Sequence, residues 1–314
     1  GYDVSIDDLK SFRQLHSKTP GHPEIETPGV EIATGPLGQG VANAVGFAMA
    51  AKSAQNLLGS DIINHKVYCL CGDGDLQEGI SYEACAVAGK HNLDNLVIIY
   101  DSNEITIEGN TNIAWAEDVK VRFEAAGFEV AKIDGHSYDE IEFALKEAKN
   151  KTKPYLIIAK TKIAKGAGEL EGSHHAHGAP LGAEVIAKAK ESAGFDPNLS
   201  FFIDDDVKFW FNLALERGDL ANATWDKLVS QLDNEKKELL HSLLNPDFSK
   251  IEFPALKGQK MATRDSNGKI LNAIAKALPG FIGGSADLGP SNKTELKDFG
   301  DYPNGKNIHF GIRE

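Results

Sequence analysis

The residues of this chain best suited to chemistry are a carboxylate and an amide, Asp73 and Asn103. Asp73 stands between two glycines in Gly72-Asp73-Gly74, and Asn103 ends the run Asp101-Ser102-Asn103. A carboxylate and an amide carbonyl are the hard oxygen ligands that Mg²⁺ or Ca²⁺ prefers. The glycines let the backbone approach a ligand, and the N–H groups at the start of a following helix favour an anion. A divalent cation clamped between protein and a diphosphate would satisfy both features. The competing reading is an ordinary strand-to-helix turn and an ordinary loop asparagine. An EF-hand is excluded, because Gln77 stands where that loop needs Asp or Asn.

Other stretches carry chemical potential of their own. Gly172-Ser173-His174-His175-Ala176-His177-Gly178 could offer imidazoles to a diphosphate and a sugar. Transition-metal binding is the alternative there, but no cysteine or carboxylate partner stands at a ligand spacing. Lys18-Thr19-Pro20-Gly21-His22-Pro23-Glu24 is a rigid turn presenting His22. Gly35-Pro36-Leu37-Gly38-Gln39-Gly40 precedes an apolar helix and suits a phosphate or a closely approaching cofactor. Its glycine order is the reverse of the dinucleotide fingerprint, with no strand before it, so a Rossmann assignment is weak.

The elements that must position these residues follow from hydrophobic period. Val67 to Cys71 is an apolar run too short for a helix, and Leu96 to Tyr100 is β-rich. A segment of helical period from about Leu76 to His91 joins them, so the unit is βαβ with parallel strands. Asp73 and Asn103 then lie past the carboxyl ends of two strands, where open α/β sheets bind ligands. A helix is expected from Val41 to about Leu58, another at 118–126, and one at 138–149 capped by Ser137. Strands at 128–133 and 154–160 complete the alternation, which predicts an α/β fold: an open, mostly parallel sheet with helices on both faces.

Beyond this the pattern changes. Charged helical stretches at 183–193, 208–215 and 224–244 read as a helical connector. A helix from Arg264 to Leu278, then a strand and a glycine-rich loop at 281–292 after Pro279-Gly280, open a second α/β domain. The run 308–314 reads as a strand with nothing local to pair with. The expected division is 1–190, 191–255 and 256–314. The first thirty residues show few apolar positions at regular spacing, and the last domain is short, so the chain reads as truncated at both ends.

Bulk composition narrows the function classes. The 314 residues are 41% hydrophobic and 25% charged, an ordinary globular balance. A net charge of −13 argues against nucleic acid and anionic membrane surfaces as partners. No apolar run is long enough to span a membrane, and the acidic start GYDVSIDDLK is not a signal peptide. Cys69, Cys71 and Cys85 read as buried reduced thiols in a cytoplasmic protein.

Taken together, the motifs resemble a known family. GDG followed by an asparagine at the close of the next strand looks like the thiamine-diphosphate motif, with Ser102 standing where that motif has a first asparagine. GDGDLQEGISYEA, DSNEITIEG, TPGHPE, GPLGQG, GSHHAHGAPLG, ATRDSNGKIL, GGSADLGPSN and IHFGIRE resemble successive blocks of transketolase. The resemblance implies the thiamine-diphosphate-binding fold, with a diphosphate-binding domain, the connector, and the start of a pyrimidine-binding domain. It implies a homodimer with the active site at the subunit interface, and transfer of a two-carbon ketol unit from a ketose phosphate to an aldose phosphate through the cofactor ylid.

Residue by residue, the same resemblance makes Asp73, Asn103 and the Ile105 carbonyl the metal ligands, for Mg²⁺ with Ca²⁺ or Mn²⁺ possible. It assigns Gly35, Pro36, Leu37, Gly74, Glu78, Asn103, Ile107, His177 and Asp287 to cofactor contacts. Ile107 would pack under the cofactor, with plain core packing as its alternative. His22, His177, Arg264 and Ser291 would contact the sugar phosphate. Glu314 would bond the aminopyrimidine ring of the partner's cofactor, and with His22 and His177 would carry catalysis. Other thiamine-diphosphate enzymes, or a cofactor-binding or dimerisation module without turnover, are the competing readings.

Overall fold

The computed structural model describes residues 2–313. It divides into two compact units, residues 1–45 with 67–220 and residues 46–66 with 221–314. In chain order the first elements are α1 (Ile6–Lys10), α2 (Gln39–Leu58) and β1 (Val67–Cys71). They are followed by α3 (Asp73–Gln77), α4 (Gly79–Lys90) and β2 (Leu96–Ser102). Next come α5 (Val119–Ala125), β3 (Glu129–Asp134), α6 (Tyr138–Ala148) and β4 (Tyr155–Lys160). The remainder comprises α7 (Ala183–Ser192), α8 (Asp205–Ser230), α9 (Asn234–Leu244), α10 (Thr263–Ala277), β5 (Gly283–Ser285), α11 (Gly289–Asn292) and β6 (Asn307–His309).

The first unit is built on a parallel sheet of order β1-β2-β4-β3. Its central strands are β-branched and buried on both faces, as parallel sheets require. Val97, Tyr155 and Ile157 pack with Ala144 and Ala148 of α6 on one face, while Ile98 and Leu156 point the other way and are equally buried. Because every strand runs the same way, all carboxyl ends meet one edge, where Gly72, Asn103 and Thr161 follow β1, β2 and β4. Phe123 of α5 meets Phe128 edge-on, with ring centroids 5.1 Å apart, and so seats that helix beside β3. Ser137 caps α6 by accepting the Glu140 N–H, as its position predicted.

Two helical expectations change. The segment from Leu76 to His91 is not one helix: Glu78 is extended (φ −68°, ψ 138°) and separates α3 from α4. The Ser81 hydroxyl donates to the Asp75 carbonyl across the break, and Gly38 packs against the Glu78 side chain. Conversely, the two stretches expected at 208–215 and 224–244 are reorganised into the continuous 26-residue α8 and the Asp233-capped α9. Near the start, α1 forms where little was expected, closed by a capping box between Ser5 and Asp8.

In the second unit, Leu58, Ile62 and Leu240 form a core with Leu228, Val229, Leu232, Leu239 and Leu243. Trp225 donates its indole N–H to the Ile62 carbonyl at 3.1 Å, and Tyr302 its hydroxyl to the Met49 carbonyl at 3.0 Å. The closing strand does find a partner, contrary to expectation: β6 pairs in parallel with β5, Gly284 opposite Ile308. A Cβ on Gly284 would lie 1.8 Å from the Ile308 carbonyl oxygen, so only glycine permits this approach. The Asn307 side chain completes the arrangement, accepting from Leu296 N–H and donating to the Leu296 and Gly300 carbonyls.

Candidate active site

Asp73 opens α3 immediately after β1 and is only 4% exposed. Its Oδ1 accepts from the Tyr100 hydroxyl at 2.5 Å and its Oδ2 from the Glu104 backbone N–H at 3.1 Å. Burial pushes its carboxyl pKa up, against the opposing pull of Tyr100, the Glu104 N–H and the Lys160 charge. Among the described residues no cation bonds this buried carboxylate directly, and a divalent metal would stabilise such a group as the anion. The Glu104 bond also draws the loop after β2 onto the turn after β1, so both loops face one edge of the sheet.

That second loop has an unusual backbone. Glu104 is left-handed (φ 64°), which costs a residue with a Cβ about 1–2 kcal/mol. The Asn103 Oδ1 accepts the Ile105 N–H at 3.0 Å, closing a turn around Glu104. Ile105 and Asn110 form an antiparallel bridge flanked by the bonds Thr111 N–H to Glu104 O and Thr106 N–H to Gly109 O. In such a pair the N–H and C=O of Ile105 turn outward, away from Asn110. The Ile105 carbonyl therefore shares a side with the Asn103 amide oxygen. One carboxylate, one amide oxygen and one peptide carbonyl form a hard-oxygen donor set that fits Mg²⁺ or Ca²⁺.

A polar cavity of about 670 Å³ opens beside this loop, lined by Asp73, Tyr100, Ser102, Glu104, Trp115 and Lys160 among others. Among the described residues no cluster of three or more His, Cys, Asp or Glu side chains could hold a metal. The His174 and His175 rings lie 4.1 Å apart.

The glycine-rich loop at 35–40 is brought to the same place. Gly38 N–H donates to Asp75 Oδ1 and Gly72 N–H to Asp75 Oδ2, both at 2.9 Å. Asp75 thereby staples the GPLG loop to the GDG turn, a role that motif reading missed. Its signal was present in the sequence as an acid in the first turn of a helix beside two glycine-rich loops. A Cβ on Gly74 would lie 3.1 Å from Leu37, and one on Gly35 would lie 2.9 Å from the His22 ring. Gly35 also has φ 141°, where side chains are strained. His22, Gly35, Leu37, Gly38, Gly74 and Glu78 are therefore consecutive neighbours around the start of α3; Pro36 lies exposed within the same loop.

Ile107 is 76% exposed, which removes core packing as the explanation for it. The histidine loop is anchored at its base by Gly172 N–H to Ile163 O, and by Glu171 bonded to Lys162 Nζ and Gly166 N–H. Ser173 caps the turn His174–Ala176, leaving His177 exposed at its end. No described contact joins His177 to the Asp73 cluster.

In the second unit Arg264 is exposed in the first turn of α10, Ser291 is exposed in α11, and Asp287 is left-handed at φ 63°. Gly268 lets α10 approach the end of α11, since a Cβ there would lie 2.6 Å from the Lys293 carbonyl oxygen. Glu314 lies outside the described residues.

Comparison with known proteins places this arrangement. The family model described as "Transketolase, thiamine diphosphate binding domain" matches residues 1–246. The chain belongs to the transketolase family. Transketolase from Geobacillus stearothermophilus is 43% identical over the whole of this chain, which spans 50% of that protein. The crystal structure of transketolase from Campylobacter jejuni superposes with a TM-score of 0.97 at 70% identity, covering 100% of this chain and 49% of that one. Pichia stipitis transketolase, solved in complex with sedoheptulose 7-phosphate, gives 0.94 at 36% identity over 100% of this chain and 50% of its own. The chain thus spans about half the length of the transketolases it matches. The fold is α/β with a mostly parallel sheet, as in those neighbours. Among the described residues no helix is long and apolar enough to cross a membrane.

Proposed function

We propose that the chain binds thiamine diphosphate through a divalent cation, Mg²⁺ in the first instance, held by Asp73, Asn103 and the Ile105 carbonyl. The observation that carries this reading is the Glu104 N–H bond to Asp73, which sets the carboxylate beside a loop whose Asn103 oxygen and Ile105 carbonyl share one side. Gly35, Pro36, Leu37, Gly74 and Glu78 would line the cofactor, with the exposed Ile107 packing under it. When bound, thiamine diphosphate supplies an acidic ring carbon and an electron sink.

The activity proposed for the assembled enzyme is transfer of a two-carbon ketol unit between sugar phosphates, in the cytoplasm. The sedoheptulose 7-phosphate bound by the Pichia stipitis relative belongs to that substrate class. His22 and His177 would hold substrate hydroxyls and move protons. Arg264 and Ser291 would hold the substrate phosphate, for which a guanidinium fork is suited. Asp287 and Glu314 would serve the cofactor of a homodimer whose subunits share the site. Residues 1–190, 191–255 and 256–314 would act as diphosphate-binding domain, connector and start of the pyrimidine-binding domain.

The test is an assay with thiamine diphosphate and Mg²⁺, offering xylulose 5-phosphate and ribose 5-phosphate or, separately, pyruvate. Ketol transfer from the ketose phosphate, with pyruvate inert, is expected of the transketolase reading; use of pyruvate would contradict it. The second reading is a cofactor-binding or dimerisation module without turnover. Cofactor binding without transfer would select it.

A further inference from the structure

The loop that carries two of the proposed metal ligands is held in a backbone conformation its own residue type disfavours. Glu104, between Asn103 and Ile105, is left-handed at φ 64°. A residue with a Cβ remains there only when its surroundings over-determine it. Three anchors do so. Its N–H donates to Asp73 Oδ2 at 3.1 Å, its carbonyl accepts the Thr111 N–H at 2.9 Å, and its Oε1 lies 2.5 Å from Lys160 Nζ. Lys160, the last residue of β4, also donates to Ser102 Oγ at 3.2 Å, and Ser102 is buried. Beside it, Thr161 donates its N–H to the Ser102 carbonyl and its hydroxyl to Asp101. The lysine is therefore fixed to the sheet, and among the described hydrogen bonds it reaches the loop through the strained residue.

We propose that the Lys160–Glu104 pair is a latch that positions the metal-ligand loop, so that Lys160 supports divalent-cation binding without touching the cation. The proposal rests on the assignment of Asp73, Asn103 and Ile105 as ligands. The latch keeps Glu104 left-handed, and that in turn keeps the Asn103 oxygen and the Ile105 carbonyl on the side of Asp73. Its role has a distinctive sign. Removing a positive charge from beside a cation would by electrostatics alone tighten cation binding. Removing a latch weakens it.

The experiment is calorimetric titration of Mg²⁺ into the chain with thiamine diphosphate present. The wild type is compared with Lys160→Met, Lys160→Arg, the double variant Lys160→Met/Glu104→Gly, and Asp73→Ala. Both side chains of the pair are about half exposed, so the effect is that of a surface ion pair. Lys160→Met is expected to weaken Mg²⁺ binding about fivefold, with Lys160→Arg close to wild type. The double variant is expected to return to within about twofold of wild type, because glycine holds the left-handed conformation without a latch. Melting curves verify that each variant is folded. Unchanged or tighter Mg²⁺ binding by folded Lys160→Met would overturn the latch, as would failure of the glycine to rescue it. Undiminished binding by Asp73→Ala would instead remove the metal assignment on which the latch depends.

Discussion

The stretch around Asp73 and the stretch from Arg264 to Ser291 both carry candidate site residues, yet they are built differently. Around Asp73 the chemistry is locked in place. The carboxylate is buried and doubly bonded, Asp75 ties two glycine-rich loops together, and Gly35, Gly38 and Gly74 make room for close neighbours. In the second unit Arg264, Asp287 and Ser291 are exposed, on a short helix-and-loop framework around a pair of three-residue strands. The first region is a preorganised cradle, whereas the second presents its groups at the surface. Preorganisation is what a metal–diphosphate site needs, because the fixed ligands are not reordered at binding.

Substitutions at the two aspartates that shape these loops sharpen the contrast. Asp75→Ala leaves the Gly38 and Gly72 N–H groups without their carboxylate, and bonds to a charged acceptor are worth about 1.5–3 kcal/mol each. A loss of about 2 kcal/mol or more in denaturant-unfolding stability is expected, together with weaker cofactor binding. A cost under about 0.5 kcal/mol would show that the staple does not organise the cradle. Asp287→Ala places alanine at φ 63° and is expected to cost about 1 kcal/mol, with Asp287→Gly neutral or stabilising. A larger loss at Asp287 than at Asp75 would reverse the comparison.

The smallest effect concerns the thiols beneath the cradle. Cys69, Cys71 and Cys85 are buried, and burial pushes the first to about 11 and the last to about 12 from an ordinary 9.0. Native protein at pH 8 should therefore resist thiol-directed alkylation, and denatured protein should react. Because the folded pKa values are raised, the contribution of these thiols to stability is complete below pH 9 and declines as pH rises toward 11 and 12. Fast native alkylation at pH 8 would show that the β1 thiols are accessible.

How much of this was legible in the sequence depends on the physical origin of each feature. Leu96–Tyr100 read as a parallel strand because burial on both faces demands a near-continuous apolar run, whereas Val67–Cys71 keeps its apolar run although Tyr68 and Leu70 are exposed. The placement of Asp73 and Asn103 at strand ends followed directly. A strand was expected after Pro279-Gly280, but its pairing with the closing run was not legible, because Gly-Gly-Ser has little strand propensity and offers only the absence of a Cβ where Ile308 approaches. The break at Glu78 was hidden because Leu76 to His91 keeps a helical apolar period across it, while the residue close against Glu78, Gly38, lies far away in sequence. Asp75 and Glu104 were passed over for a similar reason. Their importance comes from backbone N–H groups and a dihedral angle that only the folded chain supplies. The roles of Arg264 and Ser291 rested on the family resemblance alone, since an exposed arginine in a first helical turn carries no signal by itself.

The measurement that bears most directly on the cradle is calorimetric titration of thiamine diphosphate, with and without Mg²⁺, into the wild type and Asp73→Ala. The expected result is binding that requires Mg²⁺ and is abolished by the substitution while the melting curve still shows a folded chain. Equal binding by wild type and Asp73→Ala, or binding indifferent to Mg²⁺, would contradict the account.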